Sequence, residues 1–487
     1  MVIRRFAVIG VTPLVLAGCI NLAPEYQRPH PQIPSQWPTM IEQGQAQTAD
    51  GATSSASLDW RQFVLDTKLQ RLIELGLSHN QNLQVAFYTL KKAEAQYGIK
   101  RANVLPELGI SAAATQIRYP ENFTSDPDTI YRDFSFGFGI SSYELDFFSK
   151  VTNLERQALF DYLATEQGRR NTEIVLIASI ASTYLTLMAD NALVALAEET
   201  LKSQQESLAL TKQSFDAGVV SGLDVAQSEV TVANAAVELA KFKNQLASTR
   251  HALIQLVGTA ITDEMLPSNH EMDVLAPVQV GLPSELLAIR PDVRQAEFDL
   301  MAQNAVIGNA RAAYFPSISL TATGGFLSGE LSSLFERDSR SWTFSPSISL
   351  PIFYWGALDA NLASAKAGQK LALASYQNTI QTAFQEVSDA LSARAFLAQQ
   401  LTAQQALVTA TGKSYELSDL RFRQGVDSFY NVLESQQSYF SAEQNLITLR
   451  LSQQTNLIDL FRALGGGWVG NPVATATHHD DSATPAP

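Results

Sequence analysis

The sequence predicts a mainly α-helical protein with a transmembrane β-barrel part, to which each chain contributes four strands. Three observations lead to this fold class. Four segments alternate apolar with small residues, two very long segments contain no proline, and the same order of segments occurs twice along the chain. Alternation with a period of two is typical of a strand with two unlike faces. A long segment without proline favours an uninterrupted helix.

A tandem duplication organises the chain. Residues 82–106 align without gaps onto residues 292–316, and a period near 200 residues is too long for a solenoid repeat of about 20–50 residues. Identical pairs include Gly98/Gly308, Arg101/Arg311 and Pro106/Pro316. We expect a signal peptide over 1–18, a Pro-rich N-terminal extension over 19–58, a first structural repeat over 59–277, a second over 278–470 and a disordered tail over 471–487.

Each repeat is expected to contain two strands, at about 106–118 and 131–145, and at about 316–327 and 341–352. In the second strand Phe134, Phe136 and Phe138 alternate with serine and glycine. An apolar face of this kind could line the core of a soluble sandwich. The small face suits water, the aromatic face suits lipid, and a tilted strand of about ten residues matches an apolar band about 25 Å tall. These features favour a membrane strand.

Four strands cannot close into a barrel. An open sheet edge inside hydrocarbon leaves each unpaired backbone group unsatisfied at a cost of several kcal/mol. Several copies must therefore share one barrel: two chains give eight strands and a filled interior, and three give twelve strands with room for water. The membrane assignment thus predicts a homo-oligomer.

The long helical segments repeat apolar residues every seven positions, which is typical of helices that supercoil around neighbours. The positions are Ile180, Leu187, Val194, Leu201, Leu208 and Phe215 in the first repeat, and Val387, Arg394, Leu401, Val408, Tyr415 and Phe422 in the second. Arg394 is the one break in this pattern. A continuous helix over 153–214 would extend roughly 90 Å, so we expect a long helical bundle that continues from the strands.

Glycine turns separate each long helix from a returning one. Gly218 and Gly425 can adopt positive φ and end a helix. Ser221 and Ser428 are suitable N-caps for the returning helices, and Ser221 with Asp224 forms a capping-box pattern. Helical hairpin tips are therefore expected at both turns.

The N-terminus resembles a secretory signal, with Arg4 and Arg5 before an apolar run over 6–17. The run ends in "LAGC" (16–19), which resembles the lipobox of bacterial lipoproteins and predicts a covalent lipid on Cys19, with no other cofactor. A lone cysteine excludes an internal disulfide. In bacterial lipoproteins Asp after the Cys usually retains the protein in the inner membrane; Ile20 stands there in this chain and permits transfer to the outer membrane.

Composition argues against nucleic-acid binding and catalysis. The 34 basic and 48 acidic residues leave a net charge of -14, which repels a phosphate backbone on average. The six histidines lack metal-ligand spacing, and no phosphate-binding glycine loop or nucleophile motif occurs. "HHDD" at 478–481 lies in the expected tail. We therefore expect neither an enzyme nor a metal site.

Four further segments carry a resemblance to a known family. They are "LAPEYQRP" (22–29), "GLPSELLAIRPDVRQAE" (281–297), "RFRQGVDSFYNVLESQ" (421–436) and "ALGGGW" (463–468). Together with "LAGC", they make the mature chain similar to TolC/OprM-type outer-membrane factors, and more specifically to OprM-like lipoproteins. These factors are the exit ducts of tripartite efflux systems.

The resemblance implies the outer-membrane efflux protein fold: a trimer whose 12-stranded β-barrel continues into a long α-helical barrel. It implies a duct that passively conducts drugs or other small toxic compounds from the periplasm to the exterior. The expected partners are a periplasmic adaptor protein, a proton-driven inner-membrane transporter of the RND type and outer-membrane lipid. The expected location is the bacterial outer membrane, with the chain extending into the periplasm.

The resemblance also assigns site residues. A periplasmic gate is expected at Phe422, Asp427, Tyr430, Asn431 and Glu434, with Tyr430 in an apolar ring and Glu434 in an acidic one. The adaptor is expected to contact the helical tips at Gly218, Val219, Ser221, Asp224, Gly425, Val426 and Ser428. The family often has Asp where Glu434 stands, in some members a basic residue where Asp427 stands or an acid where Asn431 stands, so the identity of an interhelical latch stays open.

Two other functions compete with this interpretation. One is the outer-membrane duct of a type I protein secretion system, which the sequence separates poorly from an efflux duct. The other is a lipid-anchored coiled-coil surface scaffold. A scaffold has no use for four strands with lipid-type faces, and this feature favours the channel.

Overall fold

The computed structural model describes residues 20–29, 33–34, 37, 59–120, 130–267, 272–278 and 289–466. It is mainly helical with one four-stranded antiparallel sheet, and the predicted fold class is confirmed. The elements are α1 (Trp60–Phe63), α2 (Thr67–His79), α3 (Gln81–Ala102), β1 (Leu108–Arg118), β2 (Ile130–Leu145), α4 (Lys150–Asp216), α5 (Gly222–Val257), α6 (Pro291–Ala312), β3 (Ser317–Ser328), β4 (Arg340–Ser349), α7 (Ala357–Arg423) and α8 (Phe429–Ala463).

The chain divides into two compact units. The sheet unit takes its described residues from Met1–His30, Thr89–Glu166 and Gln295–Asn378. The helical unit takes its described residues from Pro31–Tyr88, Gln167–Arg294 and Thr379–Pro487. Each unit contains segments of both sequence repeats. The repeats are therefore units of sequence, and the compact units form across them.

The strands of the sheet unit lie in the order β1-β2-β3-β4, each antiparallel to the next. A β-bulge interrupts β2 between Ile140 and Tyr143, where Ser142 has a φ of 57°. One extra residue enters β2 at this point, so Tyr143 pairs with Leu320 after Ile140 has paired with Ala322. Because the bulge adds a single residue, the alternation along β2 shifts by one there, and Tyr143 and Leu145 follow Ile140 on the apolar face.

An N-terminal arm, residues 20–29, lies along the sheet unit. The backbone N–H of Ile20 donates to the carbonyl of Phe147 at 3.1 Å. Glu297 of α6 accepts hydrogen bonds from the Tyr26 hydroxyl at 2.9 Å and from the Arg28 guanidinium at 2.5 Å. The arm thus has specific partners over most of its described length.

The core of the helical unit lies around the middle of α4. Ile180 and Leu187 are fully buried there, and Phe63 stacks on Phe461 with ring centroids 4.2 Å apart. Within the described residues, α4 contains a stretch long and apolar enough to cross a membrane, but 61% of that stretch is buried inside the protein. Its apolar character is explained by this core.

The seven-residue pattern is buried only in part. Ile180, Leu187 and Val387 are buried, whereas Phe215 near the end of α4 is 48% exposed. Arg394, the break in the pattern, donates from Nη1 to the carbonyl of Val278 at 3.0 Å. Arg394 therefore holds the segment around Val278 by a hydrogen bond, at a position where the pattern would place an apolar side chain.

Candidate functional site

The sheet has one apolar and one small, polar face. The register places the following residues on the apolar face: Leu108, Ile110 and Ala112 of β1; Phe134, Phe136, Phe138 and Ile140 of β2; Ile318, Leu320, Ala322 and Phe326 of β3; Trp342, Phe344, Pro346 and Ile348 of β4. The opposite face carries Ser111, Ala113 and Thr115; Ser135, Gly137 and Gly139; Ser319, Thr321, Thr323 and Gly325; Ser341, Thr343, Ser345 and Ser347. The alternation seen in each strand is thus aligned across all four.

This segregation covers the part of the sheet nearest the helices. Toward the other end it is lost, because Ile117, Tyr131 and Leu327 share the otherwise small face. Phe335, from the segment between β3 and β4, packs its ring on Phe136 with centroids 5.6 Å apart. The segregated band matches the apolar belt of a membrane strand.

The outer edges of β1 and β4 have no strand partner among the described residues. Every residue of β1 and of β4 is exposed in the single chain. Since unpaired backbone groups cannot stay in hydrocarbon, strands from other chains have to pair with both edges if the sheet enters a membrane.

The first helical tip joins α4 to α5. Gly218 adopts a φ of 72°, and Ser221 is the N-cap of α5 with a complete capping box. The carboxylate of Asp224 accepts from the Ser221 backbone N–H at 2.8 Å and from the Ser221 hydroxyl at 2.7 Å. These hydrogen bonds, chiefly that of the hydroxyl, hold the pKa of Asp224 below its ordinary value. Val219 between them is 76% exposed.

The second tip, between α7 and α8, has the same backbone but different side-chain chemistry. Gly425 adopts a φ of 71°. Ser428 stands at the N-cap position of α8 but makes no side-chain capping hydrogen bond there, which corrects the expectation that it caps as Ser221 does. Asp427 instead accepts from the backbone N–H of Ser428 itself at 2.9 Å. Val426 is exposed, as Val219 is in the first tip.

Asp427 also links the two helices of its tip. Its carboxylate accepts from the Asn431 amide at 2.6 Å and from Nε of Arg421 at 3.1 Å. The hydrogen bond from Asn431, followed by those from Ser428 and Arg421, lowers the pKa of Asp427. Sequence reasoning missed Arg421. The signal was a pair of opposite charges, Arg421 and Asp427, that flank the glycine turn.

The structure separates the expected gate residues into two groups. Phe422 packs its ring against Phe429 across the turn, with centroids 5.1 Å apart. Tyr430 is 59% exposed and Glu434 is exposed, and they lie one helical turn apart on α8. Phe422, Asp427 and Asn431 therefore form the turn itself, while Tyr430 and Glu434 form an exposed pair beside it. Cys19 and the 471–487 tail lie outside the described residues.

A family model described as "Outer membrane efflux protein" matches residues 72–259 and 282–466 of the chain. This chain belongs to the outer membrane efflux protein family. Two relatives from Pseudomonas putida are each 44% identical over 462 residues, which cover 94% of this chain and 95% of theirs. They are named as the outer membrane protein ArpC of an antibiotic efflux pump and TtgC of a toluene efflux pump.

Solved structures agree with this assignment. The MtrE outer membrane channel of Neisseria gonorrhoeae, in its open state, is 32% identical and superposes with a TM-score of 0.82, covering 92% of this chain and 98% of that one. As a member of the family, the chain is the outer-membrane channel component of a tripartite efflux pump. The family is a transport family, and the described residues contain no group of three His, Cys, Asp or Glu that could hold a metal ion.

Hydrogen bonds, in addition to apolar packing, join the helices near the tips of this efflux protein. The buried amide of Gln204 in α4 donates to the Gln436 amide oxygen of α8 at 2.7 Å. Thr231 of α5 donates to the Gln204 oxygen at 2.9 Å, and Gln436 donates to the Ser203 hydroxyl at 3.4 Å. We call these four residues the polar seam. Sequence reasoning missed it because an amide side chain on a long helix is usually solvated.

Proposed function

We propose that three copies of this chain form a passive exit duct that carries small toxic compounds across the outer membrane. Its partners are a periplasmic adaptor and an inner-membrane transporter of the RND type. The observation that carries this proposal is the sheet, in which four strands share one apolar face and both outer edges lack a strand partner within the described part of the chain. Such a sheet needs identical neighbours to close.

Three copies suit a duct better than two. Eight strands give a barrel that its own side chains fill, and twelve leave a water-filled interior. With the apolar face toward lipid, the interior is lined by the small hydroxyl and glycine residues of the opposite face. Within the four strands, the part of that face nearest the helices carries one charged side chain, Glu144, which pairs with Ser319 and accepts from the Lys150 ammonium at 2.9 Å. Such a wall discriminates little between solutes, so the choice of substrate belongs to the transporter.

Antibiotics and organic solvents such as toluene are the substrates this proposal favours. The relatives at 44% identity are named for an antibiotic pump and a toluene pump. The same names support efflux over protein secretion.

In this proposal the periplasmic end is gated at the second tip. Tyr430 and Glu434 are exposed on α8 and present an apolar ring and an anionic site to the symmetry axis. Asp427, held by Arg421 and Asn431, keeps the turn in its closed geometry. The adaptor docks on the exposed valines of both tips, and the lipid on Cys19 holds the chain at the membrane.

A pair of adjacent substitutions on β1 tests the proposal. Ile110 lies on the apolar face and is 78% exposed in the single chain, and Ser111 lies on the opposite face. A lysine on the lipid face of a membrane strand costs about 2–4 kcal/mol at the bilayer midplane and about 0–1 kcal/mol near the interfaces, whereas a lumen position tolerates charge. We therefore expect Ile110→Lys to prevent assembly of a trimer in the outer membrane.

Ser111→Lys should assemble and shift the ion selectivity of the channel toward anions. The measurements are the mass of the purified full-length protein in detergent and its conductance in planar bilayers. A wild-type protein that stays monomeric and conducts no ions would contradict the proposal. So would two lysine variants that behave alike.

A further inference from the structure

The segment between β4 and α7, residues 350–356, exposes more apolar surface than its neighbours. Ile352 is 91% exposed, Trp355 is 88% exposed and Phe353 is 68% exposed. We call these residues with Leu350 the junction cluster. Among the described residues, Trp355 packs its ring on Phe353 alone, with centroids 4.5 Å apart, and Phe353 is itself largely exposed. The described part of the chain therefore leaves this cluster uncovered.

Trp355 also holds an unfavourable backbone conformation. Its φ is 50°, and the following Gly356 has a φ of 83°. A bulky residue at positive φ is an outlier, because its Cβ crowds the backbone, and glycine is the residue that this conformation favours. A tryptophan that is strained and uncovered contributes little to the fold of its own chain. Strain of this kind is often tolerated where a side chain serves a function.

The first repeat makes the matching connection with less exposed aromatic surface, since Phe147 is 48% exposed there and Trp355 is 88% exposed. Between β2 and α4 one residue has positive φ, the buried Ser149, and Phe148 is covered by stacking on Phe315 with centroids 4.6 Å apart. A strand-to-helix turn at this end of the sheet therefore requires no exposed tryptophan. A partner outside this chain would account for the exposure of the Trp355 side chain.

We infer that the junction cluster binds the headgroup region of the periplasmic leaflet of the outer membrane, with Trp355 as the interfacial anchor. This inference rests on the proposed function, because it takes the apolar sheet face as the lipid face. The cluster begins directly after β4, whose last residue on that face is Ile348. Tryptophan is enriched at membrane–water interfaces, where its apolar ring and its N–H meet different surroundings.

The length of β4 agrees with a position of the junction cluster at the border of the apolar band of the membrane. Trp342 lies on the same apolar face toward the other end of β4 and is 80% exposed. About eight residues separate Trp342 from Leu350, which at roughly 3.3 Å per residue and a tilt of about 40° gives a vertical distance near 20 Å. An outer-membrane apolar band is about 25 Å tall and is flanked by aromatic residues. Trp342 and Trp355 thus lie near its two borders.

The N-terminal arm gives an independent indication of the same border. β2 and β4 run in the same direction, so Phe147 and Trp355 follow strands that end at the same edge of the sheet. Ile20 is fixed at that edge by its hydrogen bond to Phe147. The residue before Ile20 is Cys19, the proposed lipid attachment site, and a lipid there requires the membrane surface to lie close by.

Tryptophan fluorescence tests this inference on the full-length protein. The wild type, Trp355→Phe and Trp342→Phe are reconstituted into vesicles of phosphatidylethanolamine and phosphatidylglycerol that carry bromine either near the headgroups or near the chain ends. Bromine quenches a nearby indole. Trp60 is buried and Trp37 stacks on Phe384, which leaves Trp342 and Trp355 as the lipid-exposed tryptophans among the described residues.

We expect Trp355→Phe to remove about half of the emission that headgroup-proximal bromine quenches, and to change the quenching by chain-end bromine much less. Trp342→Phe is the matched control for the opposite border. If Trp355→Phe does not assemble, Trp355→Tyr replaces it, since tyrosine keeps an amphipathic ring without the indole emission.

Unchanged quenching in Trp355→Phe would overturn the inference. Iodide then identifies the reason: strong quenching of Trp355 by iodide places the indole in water, and weak quenching places it under a neighbouring copy. Conductance of the same wild-type preparation separates this outcome from failure of the proposed function. A conducting trimer in which bromine does not quench Trp355 would refute only the lipid-binding inference. A preparation that does not conduct would refute the proposed channel function.

Discussion

Replacing Ser221 by alanine should loosen the first helical tip, while the same change at Ser428 should do almost nothing. Ser221→Ala removes the hydroxyl that donates to Asp224 at 2.7 Å and that accepts its backbone N–H at 3.4 Å. The Asp224 carboxylate still accepts from the backbone N–H of residue 221, so half of the capping box survives. We expect a loss of about 1 kcal/mol, the usual cost of removing a serine N-cap.

A change of about 1 kcal/mol raises the rate of local opening roughly fivefold. Hydrogen exchange of the backbone amides in the first turn of α5, followed by mass spectrometry on the assembled protein, measures this rate. Ser428 makes no side-chain capping bond, so Ser428→Ala should change exchange in α8 by less than about twofold. Equal effects at the two tips, or protection in α5 that survives Ser221→Ala, would refute the reasoning.

The same capping box predicts a pH dependence. Because the pKa of Asp224 is lowered from 3.8, the folded tip favours the ionised carboxylate. Its contribution is complete above the ordinary pKa and is lost as the pH falls through the lowered value. The difference in exchange between the wild type and Ser221→Ala should therefore shrink in acid below about pH 4.

Four other predictions concern the gate, the tip and the buried charges. Glu434→Gln should reduce the cation preference of the reconstituted channel, and an unchanged reversal potential would contradict its place at the constriction. Gly425→Val should weaken crosslinking to the adaptor, since valine disfavours a φ of 71°; normal crosslinking and resistance would count against the docking role of this tip. Asp190 is buried and accepts from the Thr249 hydroxyl at 2.6 Å, and desolvation raises its pKa above the ordinary 3.8. The folded state therefore loses stability as the pH rises above 3.8, and Asp190→Asn should reduce this pH dependence of the melting temperature. Arg290→Met should lower the free energy of unfolding by about 3 kcal/mol, because it strands two carboxylate partners, and an unchanged melting temperature would exclude this role.

Local patterns in the sequence predicted much of the fold. The alternation around Phe136 identified a strand because one face had to be apolar and the other small, and the register confirms that arrangement in all four strands. The two glycine turns were predictable because Gly218 and Gly425 stand where a proline-free helix must reverse. Both features depend on residues close to one another along the chain.

The misses depend on residues far apart in sequence. The Gln204–Gln436 hydrogen bond joins residues of different repeats, and no local pattern shows that two amides face each other. Arg290 is a similar case: it was noticed only as part of a motif, yet it donates to Glu386 at 2.8 Å and to the carbonyl of Ala463. The division into units also crosses the repeats, because long helices bring distant segments side by side.

The two repeats keep the same backbone at corresponding points and differ in the chemistry placed on it. Both tips use a glycine near φ 70°, but the first is capped by an uncharged hydroxyl with Asp224, and the second joins two helices through the Arg421–Asp427 ion pair. An ion pair also joins the helices of the first tip, Lys212 with Glu229 at 2.8 Å, but both of its side chains are exposed, and exposed pairs contribute little. In the second tip the Asp427 side chain is only 23% exposed. If the periplasmic end opens by moving helices, both ion pairs resist that movement, and the Arg421–Asp427 pair resists it more, because Asp427 is less exposed and also holds Asn431 of α8.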